Sequence, residues 1–157
     1  MGGKSEKLQV WGNFGNFQST VFTRRIMKQF IAKFALVVRD YDEAIAFYTK
    51  KLHFQLLEDT RMSDTKRWVR IAPPGYEYGQ CEILLAKAAD EVQLQAVGNQ
   101  SGGRVFLFLY TDDFERDYQN LLDQNIKIFR PKSTEPYGTV AVFEDLYGNL
   151  WDLIQPN

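Results

Sequence analysis

The chain of 157 residues holds one cysteine and one histidine. Cys81 alone cannot close an intrachain disulfide or build a multi-cysteine zinc or iron–sulfur site. His53 alone excludes HExxH and two-His-one-carboxylate sites drawn from a single chain. No run of ~18 apolar residues is present, so no helical membrane span is expected. Lys and Arg number 19 against 20 Asp and Glu, for a net charge of −1. The basic excess that nucleic-acid binding usually leaves is missing, and no nucleic-acid partner is expected. The first 26 residues lack a continuous apolar stretch followed by a small-residue cleavage site. Arg24-Arg25 is followed by Ile-Met-Lys, unlike a twin-arginine signal. A cytoplasmic location is therefore expected.

Rings are abundant, at 15% of residues. They either fill a ring-rich core or line a pocket for a flat or apolar ligand. Residues 1–28 read as an N-terminal extension, glycine-rich and without a clear period, whose Trp11, Phe14 and Phe17 either dock or trail. From residue 29 the pattern is regular. Phe30–Val38 is an apolar run that reads as a strand. Asp40 is placed as a helix N-cap, with Glu43 completing a capping box. Tyr41, Ala44, Ile45, Tyr48 and Leu52 then recur at helical spacing. Phe54–Leu57, Trp68–Ala72 and Cys81–Ala86 read as three further strands, with Pro73-Pro74-Gly75 as a break.

Residues 88–103 read as a linker, with one or two helical turns within Ala88–Val97. The pattern then repeats. Arg104–Tyr110 is a strand, Asp113 caps a helix, and Ile126–Phe129, Thr139–Phe143 and Leu150–Ile154 are strands. An offset of 73 residues carries Asp40 onto Asp113, Tyr41 onto Phe114 and Tyr48 onto Leu121. The expected layout is one α+β domain over 27–157, built from two tandem βαβββ modules at 29–87 and 104–157. His53 is expected in an exposed turn, and Cys81 as a buried thiol with no His to activate it.

Three stretches carry a resemblance: FALVVRDYDEAIAFYTKKLHF at 34–54, CEILLA at 81–86 and FEDLYGNLWDLIQ at 143–155. They resemble the vicinal-oxygen-chelate superfamily, which includes glyoxalase I, bleomycin resistance proteins and extradiol dioxygenases. His53 stands where glycine is usual, and Leu146-Tyr147 replaces the usual Pro-Asp. The resemblance implies a half-open β-barrel cup and a homodimer. It also implies four metal-ligand positions in the metal-dependent members, here falling on Lys33, Glu82, Phe106 and Asp152. A lysine ammonium and a phenyl ring offer no lone pair to a metal. Two carboxylates remain, fewer than the three or four protein ligands of a tight transition-metal site. No cofactor is therefore expected. A Lys33–carboxylate contact is expected to stand in for the ion.

Strand alternation then places Lys33, Glu82, Phe106, Phe108, Tyr110 and Asp152 on the cup, with Trp68 as a further liner. Phe106 and Phe108 either line the cup or pack it shut. The reading that follows is a metal-free protein that binds a small amphipathic or aromatic molecule, as in resistance by sequestration. One alternative is a lyase, isomerase or dioxygenase with a metal on Glu82 and Asp152, or with Lys33 as acid or base. Another is a degenerate module that serves as an interaction domain.

Overall fold

A computed structural model describes residues 29–157; the expectations for the N-terminal extension lie outside these described residues. The first apolar run becomes strand β1 (Lys33–Val38), starting at Lys33 rather than Phe30. Asp40 has extended backbone and accepts the N–H groups of Asp42 (2.9 Å) and Glu43 (3.3 Å), which starts helix α1 (Tyr41–Ala46). The helix continues as a π-helical turn, Phe47–Lys51. Its buried stripe is Tyr41, Ala44, Phe47 and Tyr48. The capping box takes a different form from the expected one. Glu43 does not return to the Asp40 N–H. The Tyr147 hydroxyl from the second module donates to Glu43 Oε1 (2.8 Å) and accepts the Asp40 N–H (3.4 Å). A cap within one module has become a link between modules.

Strands β2 (Gln55–Arg61), β3 (Arg67–Ala72) and β4 (Glu82–Lys87) complete the first sheet, in the order β1-β4-β3-β2. The linker carries helix α2 (Glu91–Ala96), capped by Asp90. The second module follows with β5 (Val105–Tyr110), α3 (Phe114–Asp123), β6 (Ile128–Glu135), β7 (Gly138–Glu144) and β8 (Leu150–Pro156). Its sheet order is β5-β8-β7-β6, and Asp113 caps α3 by accepting the Arg116 N–H. In each sheet the first strand runs parallel to the last, and the other pairs are antiparallel. The duplication seen in the sequence is therefore a duplication of topology. The two sheets do not close into a barrel.

One core joins the modules on their helical side. Leu36, Tyr48 and Phe54 of the first pack with Phe143, Trp151 and Leu153 of the second. The Tyr48 ring lies 5.6 Å from Phe54 and 5.9 Å from Trp151, centroid to centroid. Into this apolar centre the β7–β8 turn inserts a buried carboxylate, Asp145. Tyr48 donates its hydroxyl hydrogen to Asp145 Oδ2 at 2.7 Å, and Asn149 Nδ2 donates to the same oxygen at 2.8 Å. The backbone N–H groups of Tyr147 and Asn149 fill Oδ1 at 2.9 and 3.0 Å. The carboxylate is thus satisfied without a cation, which is what lets it be buried.

The linker is seated as well. Gly98 has φ +81, and a Cβ there would fall 2.0 Å from the Tyr147 carbonyl oxygen. The Gln100 side chain then accepts the Val37 N–H at 2.8 Å, along the outer edge of β1. Cys81 departs from expectation and is exposed. Strand β4 begins one residue later, at Glu82, so Cys81 stays in the preceding loop.

Tyr48→Phe removes one donor from a buried carboxylate and should cost about 1–2 kcal/mol. Asp145→Ala strands several donors and should cost about 3 kcal/mol or more. Urea unfolding followed by far-UV circular dichroism measures both, and equal, small losses would refute the ranking.

Candidate functional site

Each sheet has one face on the shared core and one turned away from it, called here the open face. On the first sheet, register places Lys33 opposite Glu82, Ala35 opposite Leu84, and Leu84 opposite Arg70. Arg70 in turn stands opposite Glu58 on β2. Glu82 is buried, and both its oxygens are engaged. Tyr76 donates its hydroxyl hydrogen to Oε1 at 2.7 Å, and Arg70 Nη1 donates to Oε2 at 2.7 Å. Lys33 Nζ lies 3.8 Å from the same Oε2. Arg70 Nε also donates to Glu58 Oε2 at 2.9 Å. Two cations and two carboxylates thus form one neutral cluster. The Tyr76 hydroxyl, with Arg70 and Lys33, holds the Glu82 carboxyl below its ordinary value against the opposing effect of burial. Glu82 raises the Tyr76 hydroxyl in return.

Trp68 is half-buried on the same sheet. It lines a groove of about 1130 Å³ with Leu84 and Ala86, rimmed by Asp40, Arg67 and Lys87. Arg67 is tied to Asp59 and to Asp42, and both pairs raise the guanidinium's hold on its proton.

The second open face is different in kind. Phe108 stands opposite Asp152, which stands opposite Val142, which stands opposite Arg130. Phe108 is 63% exposed and Tyr110 is 67% exposed. Val142 and Ile154 are buried yet lie outside the core cluster. Asp152 has one charged neighbour among the described residues, Arg130 Nη2 at 3.8 Å. Burial raises the Asp152 carboxyl, and Arg130 opposes the shift.

Of the seven residues singled out from sequence, the structure joins Lys33 to Glu82 and sets Phe108 and Tyr110 beside Asp152 and Ile154. Among the described residues no hydrogen bond or ion pair links these two groups. Phe106 breaks the expected alternation. The β5–β8 register shifts between Val105 and Leu107, a bulge that turns Phe106 against the core, where its ring meets Phe34 edge-on at 6.0 Å. Asp152 is displaced too. It pairs with Phe108, not with Phe106, and so does not occupy the counterpart of Glu82. His53 is exposed, with φ 58, and its Nε2 lies 3.2 Å from Asn120 Oδ1 beside a cleft on the helical side of the molecule.

Sequence reasoning missed Arg70, Tyr76 and Glu58. Arg70 was legible in principle, because it alternates with Trp68 in RWVRIA. Tyr76 was not, because its reach depends on how the Pro73-Pro74-Gly75 turn folds back.

The fit of these residues to a metal follows from their donors. Among the described residues no three His, Cys, Asp or Glu side chains converge on one point. Glu82 is held by Tyr76, Arg70 and Lys33, and a cation would have to displace them. The donor set does not suit a protein-held divalent ion.

A family model described as Glyoxalase/Bleomycin resistance protein/Dioxygenase superfamily matches residues 30–153. An uncharacterized protein of Shewanella frigidimarina is 58% identical over 132 residues, covering 83% of this chain and 96% of its own length. The crystal structure of UcmS2 is similar with a TM-score of 0.70 and 25% identity, over 82% of this chain and 98% of that one. That of TnmS3, an antibiotic binding protein from Streptomyces sp. CB03234, gives 0.66 and 26%, over 83% and 98%.

Removing one cation from the cluster should weaken the fold in a pH-dependent way. Glu82 contributes stability above its unfolded pKa and loses it as pH falls through its lowered folded value. Arg70→Gln should therefore cost about 1–2 kcal/mol at neutral pH, and the gap from wild type should narrow toward roughly pH 3. Urea midpoints at both pH values test this, and a gap that stays constant would refute it.

Proposed function

The chain belongs to the Glyoxalase/Bleomycin resistance protein/Dioxygenase superfamily, and from that premise we propose that it binds a small amphipathic or aromatic organic molecule without a catalytic metal, holding the molecule rather than transforming it. The observation that carries this reading is the exposure of Phe108 and Tyr110 on the second open face. Two large rings left in water on one strand face are unfavourable unless something covers them. Flat ligands stack on such rings. The likeness to an antibiotic binding protein points the same way.

The first open face supports the metal-free part of the reading. Lys33 and Arg70 supply to Glu82 the positive charge that an ion would otherwise bring. The exposed rings also suit a homodimer in which a second copy covers an open face and encloses the ligand. That dimer, acting in the cytoplasm, belongs to the same proposal.

A planar aromatic probe such as anthraquinone should raise the melting temperature and quench tryptophan fluorescence. Phe108→Ala should weaken its binding about five- to tenfold, the worth of one stacking ring. Light scattering should give the mass of two chains. Added Zn²⁺, Ni²⁺ or Mn²⁺ should leave the melting temperature unchanged. Stoichiometric metal in the purified protein, with a melting temperature lowered by chelator, would overturn the reading.

A further inference from the structure

We propose that Asp152 is the recognition group of the second open face and that it selects an organic cation, an aromatic ring system carrying a protonated amine. The inference rests on the reading of that face as a ligand surface and names the class of ligand it takes.

Asp152 and Glu82 make the argument by contrast. Both are carboxylates on open faces, and their side chains are 16% and 9% exposed. Glu82 has a phenol, a guanidinium and an ammonium on its two oxygens. The Asp152 carboxylate accepts no hydrogen bond among the described residues. Its one charged neighbour, Arg130, lies at 3.8 Å with a side chain 63% exposed. A carboxylate partly removed from water loses solvation that a loose, solvated arginine only partly replaces, while its oxygens keep a path to solvent and to a ligand.

The surroundings say what would complete it. Phe108 on β5 and Val142 on β7 flank Asp152 in register, with Tyr110 and Ile154 two residues along. Arg130 on β6 is the charged group that faces it from the neighbouring strands; β5 and β7 present no charge there. Among the described residues the Asp152 carboxylate accepts no hydrogen bond, and it lies beside two exposed rings. A protonated amine satisfies both, donating to the carboxylate and lying against the rings. A neutral ligand of the same shape would cover the rings and desolvate the carboxylate further. An anion would meet it as a like charge. The first open face exerts no such selection, since its charges are already paired.

Three anthracene probes test the proposal: the methylamine, the methanol and the carboxylate, titrated by fluorescence against the full chain. The methylamine should bind roughly tenfold more tightly than the methanol, and the carboxylate most weakly. Asp152→Asn, which keeps the shape of the side chain, should abolish the preference and leave the methanol's affinity unchanged. Arg130→Gln removes a competitor for the carboxylate and should strengthen methylamine binding. Binding of all three probes without charge preference, or a preference that survives in D152N, overturns this inference alone. Failure of all three to bind overturns the proposed function and this inference with it.

Discussion

The buried carboxylate of Asp145 is the constraint on which the arrangement of the two modules depends. It sits in the β7–β8 turn of the second module and takes a hydrogen bond from Tyr48 in the helical segment of the first. A carboxylate in an apolar core is tolerated only when its donors are in place together. Those donors come from a side chain 97 residues away, from the turn itself and, at 3.4 Å, from the ring N–H of Trp151 on β8. The interaction therefore tolerates one relative placement of the modules. Burial drives the Tyr48 hydroxyl well above its ordinary value, so it remains a donor throughout the physiological range. The Tyr147–Glu43 contact and the Lys51–Gln124 carbonyl contact repeat the same theme at the helix ends.

With the helical side committed to joining modules, the opposite faces of the sheets are left uncovered by the shared core. The two faces have been resolved differently. One has its charge neutralised within the protein, by a lysine and an arginine on one glutamate. The other keeps two rings in water and a carboxylate with little company. Duplication gave both modules the same strands in the same order, and divergence at a few positions made one face closed in its electrostatics and the other open.

Much of the fold was legible because its signals are local. Asp40 and Asp113 announce their helices by capping, and eight strands stand out by apolar runs broken by Pro and Gly. The repeat of cap and strand order gave the topology. The site was legible only in part. Strand alternation put Lys33 beside Glu82, but it holds only while the ladder is regular. The bulge at Phe106 shifted that ring onto the core, Asp152 pairs two residues further along β5 at Phe108, and nothing in RVFLFLY marks a bulge. Tyr76 and Glu58 were hidden for another reason: a contact across a loop or from an edge strand to its neighbour depends on geometry that no sequence period encodes. The glycine expected at position 53 is explained by the φ of 58 that His53 adopts, a left-handed turn that most side chains disfavour.

The linker's seat against the β7–β8 turn bears on how the molecule can assemble. Because Gly98 lies on the Tyr147 carbonyl and Gln100 caps the edge of β1, the stretch between the halves is pinned at both points. Two chains that traded halves would first have to peel this strap from both copies, breaking the glycine contact and uncovering a strand edge. The covalent order of the modules and their spatial order are therefore coupled through this strap.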